Sequence, residues 1–105
     1  MVTAQQIQQI TNRIVDVYQP EKIILFGSYA NGTARENSDL DLLIVKDTEE
    51  LPVDRAALLR KAMRDLVMPM DILVYTPQEI EENRKSKFTF IYQVLKTGKL
   101  LYDRS

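Results

Sequence analysis

Two aspartates at alternate positions, just where an apolar segment begins, are the residues of this sequence best suited to chemistry. Asp39 and Asp41 start the segment DLDLLIV, and residues 40–45 have the apolar, branched character of a core strand. Successive strand side chains point to opposite faces, so both carboxylates should share one face, about 6–7 Å apart. Asp71 starts a later segment, MDILVY, in the same way. If these strands are neighbours, Asp71 should come within roughly 5 Å of one of the pair.

Three carboxylates this close need a divalent cation. They repel one another and raise one another's pKa values, and a bound cation removes that cost. Mg²⁺, or Mn²⁺ in its place, binds carboxylate oxygens and completes its shell with water and substrate phosphates. The sequence therefore predicts that Asp39, Asp41 and Asp71 bind metal. The alternative is structural, because an isolated D-x-D is usually a turn and a solvated strand edge.

A turn rich in small polar residues precedes the aspartates. Gly27 and Ser28 follow the apolar segment KIILF. Glycine lets the chain turn sharply and approach a ligand closely, and a helical turn beginning near Ser28 would direct free N–H groups at a phosphate. Arg35 could add a cation. A phosphate-binding turn beside a metal-binding carboxylate cluster indicates phosphoryl or nucleotidyl transfer.

The composition excludes several other kinds of site. The chain has no cysteine and no histidine, which excludes disulfides, thiol nucleophiles, Ser-His-Asp triads and histidine-bound metals. Its 14 basic and 15 acidic residues give a net charge of -1, so we expect no direct nucleic-acid binding. The N-terminus lacks a signal pattern and no apolar run is long enough to span a membrane. We therefore expect a cytoplasmic protein, and 105 residues suit a single domain, 1–105.

The predicted elements alternate between helices and strands, which indicates an α+β (α/β) fold with a small mixed sheet flanked by helices. Apolar residues three or four apart predict helices, and short β-branched runs predict strands. Thr3 and Thr76 are expected N-caps, the second in a Thr76-Pro-Gln-Glu79 capping box. The predicted helices cover residues 3–18, 52–67, 88–96 and a segment from Thr76, and the predicted strands cover 22–26, 40–45, 70–75 and 100–102.

The spacing of these residues resembles a known signature. G-S, ten intervening residues and D-x-D, within LFGSYANGTARENSDLDLLIV, resemble the DNA polymerase beta-like nucleotidyltransferase superfamily. Together with FIYQVLKTGKLLYD, nearly the whole chain is similar to the minimal nucleotidyltransferases (MNT). The resemblance implies that Gly27 and Ser28 hold a nucleoside triphosphate and that Asp39 and Asp41 bind two Mg²⁺ ions. It implies that Asp71 binds one of these ions and helps to deprotonate an acceptor hydroxyl.

The transferred nucleotide also needs an acceptor. A chain of this length has no room for an acceptor-binding domain, so a partner chain should complete the site. The resemblance implies a HEPN toxin as partner. AMP would move from ATP to a hydroxyl of that toxin, most simply the hydroxyl of a tyrosine, and this chain would act as the antitoxin. One alternative is an aminoglycoside-type small-molecule transferase whose pocket a homodimer completes. Another is a non-catalytic antitoxin. The apolar segment 88–95 suits either core packing or a protein contact.

Overall fold

A mixed sheet forms the centre of the molecule, whose computed structural model describes residues 1–104. Within those residues the sheet has four strands in the order β3-β2-β1-β4. β1 pairs antiparallel with both β2 and β4, whereas β2 and β3 are parallel. The predicted α+β fold with a small mixed sheet is confirmed. The strands are β1 Lys22–Phe26, β2 Leu40–Val45, β3 Met70–Tyr75 and β4 Lys99–Asp103.

Helices cover both faces of the sheet, and two of them begin at the predicted caps. The Thr3 hydroxyl accepts a hydrogen bond from the Gln6 N–H at 3.1 Å, and the Gln6 side chain accepts from the Thr3 N–H at 2.8 Å. Thr76 and Glu79 make the same reciprocal pair. None of the helices in the described residues combines the length and the apolar character that a bilayer crossing requires. The helices are α1 Ala4–Tyr18, α2 Ser28–Asn31, α3 Pro52–Arg55, α4 Ala57–Ala62, α5 Pro77–Asn83 and α6 Phe90–Thr97.

The prediction of one helix over residues 52–67 is wrong. The segment forms two short helices that meet at Ala56, and the helical conformation ends at Met63. Neither helix has a side-chain hydrogen bond at its N-cap, and the chain must turn back to enter β3 parallel to β2. Val67, the last residue of the predicted helix, is fully exposed. The last helix also begins later than predicted, because the Thr89 hydroxyl accepts from the Tyr92 N–H and caps it.

The core lies in two layers, one on each face of the sheet. The larger layer packs α1 and α4 against the sheet, and Leu40 and Leu42 are fully buried in it. The smaller layer lies under α5 and α6 and contains Ile24, Leu43, Ile91 and Val94. Alternation along β2 therefore places the side chain of Asp41 on the same face as Leu43. The carboxylate-bearing face of the sheet is the face that α5 and α6 cover.

A buried arginine closes the outer edge of β3. Arg55 is only 7% exposed, and its guanidinium donates to the Val74 carbonyl at 3.3 Å, the Glu50 carbonyl at 3.0 Å and Glu79 Oε1 at 2.6 Å. The hydrogen bond from Arg55 lowers the pKa of Glu79. Because Glu79 also caps α5, this contact ties α3 to the start of α5. The sequence did not predict this contact. Arg55, Leu59 and Met63 recur every four residues, the spacing of one helix face, but that spacing does not indicate the partners of Arg55.

We expect Glu79→Gln to lower the free energy of unfolding at pH 7 by about 1–2 kcal/mol. This value lies in the lower part of the range for hydrogen bonds to charged groups, because the Glu79 side chain is 34% exposed and solvent weakens the contact. The lowered pKa means that this stabilisation is complete above the unfolded value of about 4.3 and is lost as pH falls through the folded value. Urea unfolding between pH 7 and pH 2.5 should therefore show that acidification lowers the free energy of unfolding less in Glu79→Gln than in the wild type.

Glu81→Gln is the matched control on the same helix, because Glu81 makes an exposed pair with Arg84 at 3.5 Å. It should change the neutral stability by less than about 0.5 kcal/mol. Equal acid losses in the wild type and in Glu79→Gln would contradict the proposed role of the Arg55–Glu79 contact.

Candidate active site

The parallel register of β2 and β3 places Asp41 directly opposite Asp71. Register partners in neighbouring strands have side chains on the same face, so the two carboxylates stand side by side. The expectation that these strands are neighbours is thereby confirmed. Asp41 is half-buried, whereas Asp39 and Asp71 are exposed. The structure therefore provides one sheltered carboxylate between two that face solvent.

The electrostatics of Asp41 show that the charges of both other carboxylates act on it. Its pKa is raised, first by burial and then by the negative charges of Asp71 and Asp39. Within residues 1–104, no three acidic side chains converge tightly enough to form a complete metal-binding cluster. The donor set fits a hard divalent cation. Mg²⁺ and Mn²⁺ prefer carboxylate oxygens, and a bound cation would relieve the repulsion that helps to raise the pKa of Asp41.

Gly27 brings the backbone of the turn against Asp41. Its φ of 74° and ψ of -151° belong to a region that is essentially restricted to glycine. A Cβ atom at this position would overlap Asp41 Oδ2 and would lie 3.2 Å from Asp41 Cγ. Gly27 is thus required both for its backbone conformation and for its closeness to the carboxylate. The sequence predicted the sharp turn, but not that Asp41 is the group that the turn approaches.

A helical turn begins at Ser28, as predicted. The N–H groups of Ala30 and Asn31 donate to the Gly27 carbonyl at 3.1 and 3.0 Å, which makes Gly27 the N-cap of α2. The first N–H groups of a helix have no intrahelical partner, so those after Gly27 are suited to an anion. Tyr29 anchors this turn to the N-terminal segment, because its hydroxyl accepts a hydrogen bond from the Val2 N–H at 2.9 Å. Sequence reasoning missed that contact, and no local signal pointed to it.

Arg35 takes a different place from the other predicted site residues. Its side chain is exposed and forms no ion pair within the described part of the chain. Its backbone shapes the loop before the aspartates: the Arg35 N–H donates to Ser38 Oγ at 2.7 Å, and the Ser38 N–H donates to the Arg35 carbonyl at 2.9 Å. The structure therefore brings Gly27, Asp39, Asp41 and Asp71 together, with Ser28 next to them. A phosphate contact by Arg35 stays a prediction.

The described site agrees with what comparison with known families finds. The family model described as "Polymerase beta, Nucleotidyltransferase" matches residues 5–105, nearly the whole chain. The chain belongs to this nucleotidyltransferase family. A relative from Methanocaldococcus jannaschii, named "Putative protein adenylyltransferase", is 34% identical over 101 residues, which cover 91% of this chain and 94% of the relative. The predicted family and enzyme class are confirmed.

Solved structures of other nucleotidyltransferases share the fold. A chain of a toxin-antitoxin crystal structure with AMP-PNP is 26% identical, with a TM-score of 0.66, and the match covers 92% of this chain and 73% of that one. A chain from the structure of a tri-AMPylated Shewanella oneidensis HEPN toxin in complex with MNT antitoxin has a TM-score of 0.56 at 22% identity. That match covers 91% of this nucleotidyltransferase and 72% of the other chain, and it shows the fold alone. The predicted polymerase beta-like nucleotidyltransferase fold is thereby confirmed.

We expect Gly27→Ala to destabilise the fold by at least about 2 kcal/mol, because backbone strain at such a position costs roughly 1–3 kcal/mol and the overlap with Asp41 adds to it. Gly32→Ala is the control for positive φ. Gly32 has a φ of 76°, but nothing lies within 4 Å of its added Cβ, so it should cost only about 1 kcal/mol.

A double-mutant cycle separates the overlap from the strain at Gly27. In Asp41→Ala the nearest remaining atom is the residue 41 Cβ, at an ordinary 3.5 Å. Gly27→Ala should therefore cost about 1 kcal/mol less in that background, measured by urea unfolding. Equal costs in both backgrounds would show that the close approach to Asp41 has no energetic weight.

Asp41→Asn should stabilise the metal-free protein at pH 7. Like charges opposite each other in a sheet destabilise it by about 0.2–1 kcal/mol, and the raised pKa of Asp41 gives the sign. The cost of ionising Asp41 in the folded protein is absent below its ordinary pKa of about 3.9, and it is complete once the pH exceeds the raised pKa of the folded state. Unfolding in EDTA at pH 7 and pH 3 should show a gain at pH 7 only. Asp47→Asn is the control, because Asp47 is exposed at the other end of β2, and it should show no such gain. An Asp41→Asn variant that is less stable than the wild type at pH 7 would contradict the proposed repulsion.

Proposed function

We propose that this minimal nucleotidyltransferase transfers AMP from ATP to a hydroxyl group, most simply a tyrosine, of a HEPN toxin and thereby acts as its antitoxin. The observation that carries the proposal is the opposition of Asp41 and Asp71, with the backbone of Gly27 against Asp41. In this proposal, the N–H groups after Gly27 would bind an anion next to a carboxylate pair that would bind a cation. Transfer of a phosphoryl-type group needs both, because the reacting phosphate must be held and its charge neutralised.

Each site residue has a defined task in this proposal. Asp39 and Asp41 would hold two Mg²⁺ ions, or Mn²⁺ in their place, and Asp71 would bind one of them. Such ions, when bound, stabilise the charge on the phosphates and lower the pKa of the attacking hydroxyl. Asp71 is exposed beside Asp41, so its carboxylate can accept the proton of an incoming hydroxyl. The hydroxyl oxygen would then bond to the α-phosphorus of ATP as the bond to the β-phosphate breaks and pyrophosphate leaves. The N–H groups after Gly27, with the Ser28 hydroxyl, would bind the triphosphate, and Arg35 would approach it from the loop.

The choice of AMP and of a protein acceptor is supported by the relatives. The Methanocaldococcus jannaschii protein carries the name of a protein adenylyltransferase. One structural neighbour is a toxin-antitoxin structure with AMP-PNP, and another contains a tri-AMPylated HEPN toxin with an MNT antitoxin. An added AMP would place bulk and negative charge on the toxin, which would repel RNA. The single-domain organisation, the cytoplasmic location, a homodimer and the lack of direct nucleic-acid binding stay predictions.

The decisive experiment uses this chain together with its cognate HEPN partner. Incubation with ATP and Mg²⁺ should add AMP to the partner, detected as a mass increase of the intact protein and located by peptide mass spectrometry. The Asp39→Asn/Asp41→Asn double variant should lose at least 100-fold in rate, the scale of losing a key electrostatic group. Asp16→Asn/Asp47→Asn is the control with the same charge change, since both residues are exposed and lie outside the site.

The outcomes separate the three functions. An unmodified partner that the double variant still neutralises would contradict catalysis and favour a non-catalytic antitoxin. An unmodified partner together with adenylylation of an aminoglycoside would favour the small-molecule transferase. Modification that the double variant retains would show that Asp39 and Asp41 are not the metal ligands.

A further inference from the structure

An aromatic pair lies beside the carboxylates on the same face of the sheet. Phe26, the last residue of β1, is the register partner of Asp41 in the antiparallel β1–β2 pair. Its ring meets the ring of Phe90 edge to face, with centroids 5.3 Å apart and an interplanar angle of 81°. Phe90 is the first residue of α6. Asp41 therefore has Asp71 on one side and an aromatic ring on the other.

Phe90 is more exposed than packing alone would require. It remains 45% exposed, whereas Ile91 and Val94 of the same helix are buried. The Thr89 hydroxyl donates to the Asn83 carbonyl at 2.6 Å and accepts the N–H of Tyr92, so the start of α6 is fixed to the end of α5. The position of Phe90 is thus set by hydrogen bonds on both sides. The chain holds an accessible aromatic face in place next to the active site.

The turn before α6 is positively charged. Residues 84–88 are Arg84, Lys85, Ser86, Lys87 and Phe88. Lys85 and Lys87 are exposed and form no ion pair with any residue of 1–104. This segment connects α5, which returns from the far end of β3, to Phe90 beside Phe26. The chain therefore enters the aromatic face through a segment that carries two unpaired cations, five and three residues before Phe90.

One class of ligand matches all three features. A nucleoside triphosphate carries a flat aromatic base, several negative charges and phosphate oxygens that share divalent cations with carboxylates. An apolar protein segment would use the aromatic surface but would gain nothing from its position next to Asp41 and Asp71. We propose that Phe90, supported by Phe26, is the surface on which the nucleobase of the triphosphate stacks. This inference rests on the proposed function and specifies where its substrate's base binds.

Stacking on an aromatic side chain is worth roughly 1–3 kcal/mol per base and tolerates any base. Phe90→Ala should therefore raise the Kd for ATP about 10-fold, within a range of about 5- to 100-fold. Inorganic tripolyphosphate, which lacks the base, should bind the variant within about twofold of the wild type. Isothermal titration calorimetry in Mg²⁺ measures both ligands on the full chain.

Further variants separate the ring face from the fold. Phe90→Tyr keeps the ring and should bind ATP within about twofold of the wild type. Phe90→Leu keeps an apolar contact with Phe26 but removes the flat face, so its Kd for ATP should rise as in Phe90→Ala. Leu95→Ala is the matched control, because Leu95 is 38% exposed on the same helix but lines the groove with Lys22 and Leu100 at the other end. It should leave both affinities unchanged.

The inference is overturned if Phe90→Ala weakens ATP and tripolyphosphate equally, or if it leaves ATP affinity unchanged. An unchanged ATP affinity with loss of binding to the HEPN partner would make the aromatic surface a protein contact. A wild-type chain that does not bind ATP would overturn the proposed function together with this inference. Wild-type ATP binding that Ser28→Ala weakens, but Phe90→Ala does not, would overturn the inference alone.

Discussion

The repulsion between Asp41 and Asp71 is the constraint around which this fold is arranged. Two like charges are held side by side in a sheet, where separation would be favourable, and burial of Leu40 and Leu42 on the opposite face prevents β2 from rotating to relieve them. The repulsion is therefore countered by the hydrophobic core rather than by a nearby basic side chain. A cation bound between these carboxylates would remove a cost that the protein cannot remove itself.

Three different chain connections bring Gly27, Asp71 and Phe90 to the end of the sheet where Asp41 lies. The antiparallel pairing of β1 with β2 brings the end of β1, and hence Gly27, back to the start of β2. The parallel pairing of β3 with β2 needs a crossover, which α3 and α4 provide, and it delivers Asp71 to the same end. The connection through α5 then returns the chain to that end again and places Phe90 there. Three connections with different geometries thus converge on one edge of the sheet.

The sequence predicted the strands and the caps well because those signals are local. Apolar β-branched runs and the Thr3 and Thr76 capping boxes depend on residues within one turn of each other. The break at Ala56 was missed, since the buried guanidinium of Arg55 bonds to groups about 20 residues away. In the site, alternation was enough to place Asp39 and Asp41 on one face. The strand pairing that sets Asp71 opposite Asp41, and the packing of Phe90 on Phe26, are long-range features that no local pattern specifies.

The hydrogen bond from Arg55 to the Val74 carbonyl has a consequence for how this protein behaves at high concentration. β3 is an edge strand, and an open edge with free carbonyls is a template on which a strand from another molecule can add. Such an addition would extend the sheet past Asp71 and crowd the approach to it. By occupying the edge with a charged side chain, Arg55 discourages intermolecular strand pairing at the border of the active site. Arg55, the last residue of α3, therefore shields both this edge of the sheet and the approach to Asp71.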